Sequence, residues 1–252
     1  MKITLVIFSM RSGGAERVMS TLANHWVTQG KEVTLVTLDS SQHDFYPLDS
    51  RITRIALNLA ADSPSAWVAL KNTTRRIIKL RQTFHQSKPD IIMSFMDVMN
   101  ITTLLATRGL SVPVIVAEHT NTDAFPPPGI WNKLRPLSYP WADAIVVLTE
   151  RGLKMATQFA PQHKLHVIPN PALPIEESNT PPDLDLPSPF IVSMGRLSPE
   201  KGFDLLLKAF SQCNEKRWSL VIMGEGDERA SLESLAKNLG IESCVHFIGN
   251  IK

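Results

Sequence analysis

Short runs of apolar and β-branched residues alternate with stretches of helical periodicity along the whole chain, and this alternation restricts the fold more than any other feature. Candidate strands in the first part are Lys2 to Phe8, Glu32 to Leu38, Ile52 to Leu57, Ile91 to Ser94, Val114 to Ala117, Ala144 to Leu148 and Leu165 to Ile168. Most are separated by sequence with helical spacing, the pattern of strands laid side by side in parallel through crossover helices. The fold class is α/β. The apolar start, Ile3 to Phe8, is broken by Ser9 and Arg11, too short for a signal peptide's apolar region or a membrane span.

Between Pro169 and Pro189 the pattern stops. Pro169, Pro171, Pro174, Pro181, Pro182, Pro187 and Pro189 stand among Asp, Glu, Ser and Asn, and neither helix nor strand continues through such a stretch. It reads as a linker over 171–188, the alternative being a long surface loop within one domain. Beyond it come a strand from Pro189 to Met194, a helix from Lys201 to Cys213, a strand from Trp218 to Met223, a helix from Glu228 to Leu239 and a strand from Cys244 to Ile248. The expectation is a first domain at 1–170 and a second, smaller one at 189–252.

A net charge of +2 over 252 residues points to no nucleic-acid partner. Cys213 and Cys244 have no Cys or His companions at ligand spacing, so neither a disulfide framework nor a zinc site is expected. Together these suit a cytoplasmic protein that at most rests on a membrane surface.

Charge is concentrated in one place. From Ser65 to Lys88 the chain carries Lys71, Arg75, Arg76, Lys79, Arg81 and Lys88 and no acidic residue. On a helix, Leu70, Ile77, Leu80 and Phe84 share one side and Lys71, Arg75, Arg76 and Lys79 the other. Arg81 and Lys88 fall near the apolar stripe, where their stems must snorkel. The basic side is either a solvated face or a contact for anionic headgroups or a lipid-linked pyrophosphate.

Three strand ends carry candidate chemistry. Gly195 ends an apolar run and is followed by Arg196, Lys201 and a helix starting near Gly202; free N–H groups and two cations converge there as in a diphosphate site. Ser9 to Arg17, containing Gly13 and Gly14, turns from the first strand into a helix with Val18, Met19, Leu22, Ala23 and Trp26 at helical spacing, yet lacks the dinucleotide fingerprint G-x-G-x-x-G. Val114 to Ala117 runs into Glu118, His119 and Asn121, at the end of a parallel strand where open sheets bind ligands. His119 is a partly buried structural histidine or a site residue. Asn100, after the strand ending at Ser94, either caps the following helix or faces the same edge. The segment opening with Pro126, Pro127, Pro128 and Gly129 reads as too rigid for helix.

The run from Gly195 to Phe210, GRLSPEKGFDLLLKAF, resembles the donor-phosphate segment of retaining glycosyltransferases of family 4. Met223 to Leu232 and Val245 to Gly249 follow at that family's spacing, and SGGAER at Ser12 to Arg17 resembles its first loop. The resemblance implies the GT-B architecture, two Rossmann-like domains facing a cleft. It implies that Arg196 and Lys201 contact the nucleotide diphosphate and that Gly13, Gly14, Gly195, Gly224, Glu225 and Ile251 lie against the donor. It maps His119 to a residue that touches the sugar near the reaction centre, and Glu16, Asn100, Glu118 and Asn121 are expected to face the acceptor. The expected activity is retaining transfer of a hexose or N-acetylhexosamine from a nucleotide sugar, UDP above others. Acceptors would be glycans or lipid-linked glycans, with Lys71, Arg75, Arg76 and Lys79 at the membrane or lipid phosphate. No metal is expected, since the two cations take its part, and no other cofactor. The family's Glu-x7-Glu segment does not follow Lys252, so the expectation is a fragment with an incomplete second domain and an exposed sheet edge. The alternatives are an inactive fragment serving as a lipid or protein binding module, and a GT-B epimerase or phosphorylase. A nicotinamide oxidoreductase would need the missing fingerprint.

Overall fold

The computed structural model describes residues 1–61, 65–119, 126–172, 188–213 and 217–250, in two compact units, Met1–Leu173 and Pro174–Lys252. The first unit runs β1 (Lys2–Ile7), α1 (Gly14–Thr28), β2 (Glu32–Thr37), β3 (Thr53–Ala56), α2 (Ala66–Ser87), β4 (Ile91–Phe95), α3 (Asp97–Thr107), β5 (Val114–Glu118), α4 (Ile130–Ser138), β6 (Ala144–Val147), α5 (Glu150–Ala156) and β7 (Leu165–Val167). Its strands form one sheet in the order β3-β2-β1-β4-β5-β6-β7, every pair parallel.

Alternation of side chains across the pleat divides the core into two layers. Leu5 and Ile7 of β1 join Leu35 and the α1 residues Met19, Ala23 and Val27 on one face. Val6 joins Val36, Ile92 and Val116 on the other, against Leu80 and Phe84 of α2 and Ile101 and Leu104 of α3. Because both faces are covered, β1 is buried from Ile3 to Ile7 and apolar throughout that run except at Thr4, rather than alternating. Full burial of each such side chain contributes roughly 1.5–3 kcal/mol.

Helix α2 begins where Ser65 Oγ accepts from Val68 N at 3.4 Å and ends at Lys88 in the left-handed region. Its inner face is narrower than the sequence pattern implied: Leu80 and Phe84 are buried, whereas Leu70 is 58% and Trp67 82% exposed. Arg81 snorkels as expected, donating to the carbonyls of Ala106 at 3.0 Å and Arg108 at 2.8 Å at the end of α3. The segment after Pro126 departs from expectation, because Ile130–Ser138 is helical. The three prolines precede that helix, and Pro136 lies in its last turn, where it forgoes one backbone bond close to the helix end.

The second unit runs β8 (Phe190–Met194), α6 (Phe203–Gln212), β9 (Ser219–Met223), α7 (Arg229–Asn238) and β10 (Val245–Gly249), with the parallel sheet order β10-β9-β8. That order repeats β3-β2-β1 of the first unit. Its core gathers Leu197, Phe203, Leu207, Leu220, Ile222, Leu232, Ala236 and Val245. Whereas β1 is paired on both sides, β8 is paired only with β9 among the described residues. Phe190, Ile191, Val192 and Met194 are all exposed.

Two strand ends nearly touch in this unit. Gly195 N donates to Met223 O at 2.9 Å and Gly224 N to Gly249 O at 2.8 Å. Gly224 has φ +139, and a Cβ there would come within 1.9 Å of Gly195 O. Gly224→Ala is therefore expected to destabilise this unit by about 2 kcal/mol or more, read as a lowered urea midpoint.

Candidate functional site

In each sheet the loops that leave the strands lie at their carboxyl edge, and the candidate residues fall into two groups, one in each unit. In the second unit β8 and β9 are each followed directly by a glycine, Gly195 and Gly224, and β10 ends in one, Gly249. This leaves a backbone floor without side chains. The loop after β8 is sewn to the loop after β9 through buried Leu197, whose N–H donates to Glu225 O at 2.9 Å and whose carbonyl accepts Glu228 N at 3.1 Å.

Beside this floor the chain makes a 3-10 turn at Pro199–Lys201. Gly202, φ +66, then ends the turn and opens α6 without any side-chain cap. The left-handed residue is why the helix starts at Phe203 rather than Lys201. Arg196 precedes the turn and Lys201 is its last residue, and both are exposed. The Glu200 carboxyl is held below the usual range by Ser198 Oγ at 2.5 Å, with smaller effects from the positive charges of Arg196 and Lys201. Two cations thus share one short loop at an uncapped helix start above a glycine floor, an arrangement suited to a phosphate chain. Glu225 is differently engaged: its carboxylate pairs with Arg229, which also binds Glu233 at 2.9 Å and Phe247 O at 3.0 Å. Ile251 lies outside the described residues.

In the first unit Gly13 precedes α1 in an extended conformation. A Cβ on Gly13 would fall 2.1 Å from Glu16 Oε2, so the Glu16 carboxylate lies folded against the glycine loop. Gly14 is exposed. Two features absent from the sequence reading hold this loop. Tyr46 Oη donates to Gly13 O at 3.0 Å. Asp39, at the end of β2, accepts from Arg11 Nε at 2.8 Å and bonds His43 Nδ1 at 3.0 Å. Burial pushes the Asp39 carboxyl up, yet bonds from Arg11, Ser40 N and His43 outweigh it and leave it lowered. The only signal for Tyr46 was its aromatic polarity within a long connection.

At the end of β5, His119 stacks on Phe95 with ring centroids 4.3 Å apart. Burial pushes its pKa down to about 4, so the imidazole is neutral near pH 7 and fit to hydrogen-bond a hydroxyl. Its neighbours are corrected. Glu118 is 5% exposed and accepts the Tyr139 hydroxyl at Oε1; Asn100 is fully buried, donating to Ala117 O at 3.0 Å and Tyr139 Oη at 3.2 Å. Both side chains are turned into the core instead of the open strand edge, and Asn100 is not a cap, since α3 begins at Asp97 with Met96 before it. Asn121 lies outside the described residues.

On α2, Lys71, Arg75 and Lys79 are exposed, as are Trp67, Leu70 and Ile78. Arg76 departs from that face: it donates to Leu59 O and Ala61 O, both at 3.1 Å, and burial lowers its pKa. Among the described residues no group of acidic, His or Cys side chains is arranged to hold a metal ion, and no helix is long and apolar enough to cross a membrane.

Two Rossmann-like units with bare strand ends and a paired-cation loop define the GT-B class of glycosyltransferases. The chain belongs to glycosyltransferase family 4, whose model matches residues 12–172, and the model for group 1 glycosyl transferases matches residues 175–252. It is 31% identical, over its whole length and 68% of the relative's, to a Campylobacter jejuni N-acetyl-D-galactosaminyltransferase named for an undecaprenol-diphosphate-linked glycan. It is 25% identical to the amylovoran biosynthesis glycosyltransferase AmsD of Erwinia amylovora, covering 96% of this chain and 66% of that protein. Among solved structures, sucrose-phosphate synthase of Thermosynechococcus elongatus matches with TM-score 0.79 at 14% identity, covering 100% of this chain and 71% of that one. Anabaena HepE, solved with UDP-glucose, matches with TM-score 0.73 at 18% identity, covering 100% and 70%.

Proposed function

We propose that this chain belongs to an enzyme that moves a hexose or N-acetylhexosamine from a UDP-sugar to a lipid-linked glycan with retention of configuration. The observation that carries this is the pair Arg196 and Lys201 beside the floor of Gly195, Gly224 and Gly249. Negative charge gathers on the departing diphosphate as the glycosidic bond breaks, and fixed cations with helix N–H groups stabilise it. The leaving phosphate oxygen takes the proton of the attacking acceptor hydroxyl on the same face of the sugar, so no carboxylate nucleophile is needed. His119, neutral at working pH, orients a sugar hydroxyl. The two cations also take the part of a metal ion; Asp183 and Asp185, an Asp-x-Asp pair, lie outside the described residues. The HepE complex with UDP-glucose supports the donor, and the C. jejuni relative's name supports the acceptor class. Calorimetric titration with UDP in the presence of EDTA tests the reading: saturable binding is expected, and its absence, or its dependence on added metal, counts against it.

The exposed face of α2 supports a peripheral location on the cytoplasmic side of a membrane. Lys71, Arg75 and Lys79 flank Trp67, Leu70 and Ile78, which combines cations for headgroups with apolar side chains for the interface. Each cation contributes about 1 kcal/mol at an anionic surface. Changing all three to glutamine is expected to weaken binding to anionic liposomes at low salt by about 10²-fold. Arg76→Gln, which loses only internal bonds, is expected to leave liposome binding unchanged and lower stability instead.

A further inference from the structure

We infer that Glu118, Tyr139 and Asn100 are positioning residues that hold the end of β5, and with it the His119 imidazole, against Phe95. The inference rests on the reading of His119 as facing the transferred sugar. Tyr139 is fully buried just after α4, its ring edge-on to Phe159 at 5.3 Å. Its hydroxyl joins two elements, donating to Glu118 Oε1 and accepting from Asn100 Nδ2 at 3.2 Å. The same Asn100 amide donates to Ala117 O at 3.0 Å, and Met96 N donates to that carbonyl at 3.1 Å. The two residues before His119 are therefore pinned, one by its carbonyl and one by its side chain.

His119 itself depends on that hold. Its Nδ1 is buried without a hydrogen-bond partner among the described residues, and the ring stacks on Phe95. Phe95 precedes Met96, which has φ +74 and ψ 143, a region that favours glycine. A bulky residue kept there means the turn under the imidazole is imposed by its surroundings, and Ala117 O and Asn100 are the partners that impose it.

The cluster is poorly explained by stability. Asn100 Oδ1, Glu118 Oε2 and Arg135 Nε are also buried without hydrogen-bond partners among the described residues. The groups facing Glu118 are Asp97 and Asn100 from α3, Arg135 from α4 and Tyr139, and Arg135 lies over the Phe159 ring at 4.1 Å. Apolar residues of similar volume would stabilise such a place at least as well. What the polar set adds is direction, because hydrogen bonds orient the strand end and apolar contacts do not.

The test is NMR of the His119 ring in the labelled chain, its signals assigned by their loss in His119→Asn. Tyr139→Phe keeps the ring and removes the hydroxyl; it is expected to raise the His119 midpoint from about 4 by about one unit or more and to weaken the Phe95–His119 ring contact. Glu118→Gln still accepts the hydroxyl and is expected to leave both unchanged. A folded Tyr139→Phe protein whose His119 titrates as in the wild type overturns the inference, as does a Glu118→Gln protein disturbed as much as Tyr139→Phe. Should Tyr139→Phe not fold, the wild type decides: between about pH 6 and 8.5 the ionisation of Glu118 should displace the His119 signals, and Glu118→Gln should abolish the displacement. Signals that stay still in the wild type over that range also overturn it. None of these readouts needs nucleotide or transfer, so a chain with this response that fails to bind UDP would count against the functional reading and leave the positioning role standing.

Discussion

Replacing Arg196 and Lys201 together with alanine is expected to lower sugar transfer by about 10⁴-fold or more, each cation contributing on the order of 10²–10³. The unfolding midpoint should scarcely move. Both side chains are exposed, and the core beneath them is made by Leu197, Phe203 and Leu207; surface changes of this kind cost within about 0.5 kcal/mol. UDP affinity should fall with turnover, because in the proposed function the same cations meet the diphosphate before and during bond breaking. Turnover should fall further, since the charge grows as the bond opens. Arg196→Lys is not expected to rescue fully, because a point charge does not reproduce the planar fork that holds a phosphate at two oxygens. Undiminished UDP affinity and turnover in the double variant would remove the basis of the proposed function.

Glu118 and His119 are expected to give the protein two opposing pH dependences that nearly cancel. Burial pushes the Glu118 carboxyl from 4.5 up to about 7; Arg135 pulls it down and Asp97 raises it further. Between those values the folded chain keeps a proton that the unfolded chain has released. The contribution of Glu118 is thus complete below about pH 4.5 and is lost as pH rises through 7. The shift, 7 minus 4.5, corresponds to about 3 kcal/mol. Burial moves His119 the other way, from 6.5 to about 4. Its contribution is complete above about pH 6.5, is lost as pH falls through 4, and is of the same order. Asp49, lowered to about 2, acts below this window. Urea unfolding at closely spaced pH should therefore give a shallow curve for the wild type. Glu118→Gln should uncover a stability that rises from pH 4 to 6.5, and His119→Asn one that falls from pH 4.5 to 7. Three curves of equal slope would show that the two groups are not buried as described.

The parts of the site that were legible in the sequence are those that depend on local geometry. Gly195, Arg196, Lys201 and Gly202 lie within one strand-to-helix connection, so their spacing alone brings the cations to the helix start. The glycine loop before α1 is likewise local. Glu118 and Asn100 were misplaced because a polar residue at a strand end looks the same in sequence whether it faces solvent or a tyrosine arriving from residue 139. Arg76 was grouped with Lys71, Arg75 and Lys79 by helical angle, but the loop carrying Leu59 and Ala61 takes its guanidinium. Tyr46 left no signal beyond its aromatic polarity, since its partner Gly13 is distant in sequence.

The periodicity of the chain by itself determined the class of fold, the two parallel sheets and the strand ends at which polar residues would gather. That information is local: side-chain direction follows from residue spacing along a strand or helix. Which of those gathered residues meet solvent and which meet one another was decided only by tertiary structure. Burial depends on what packs from elsewhere, and a carboxylate beside a buried tyrosine has a different charge and a different task from the same carboxylate in water.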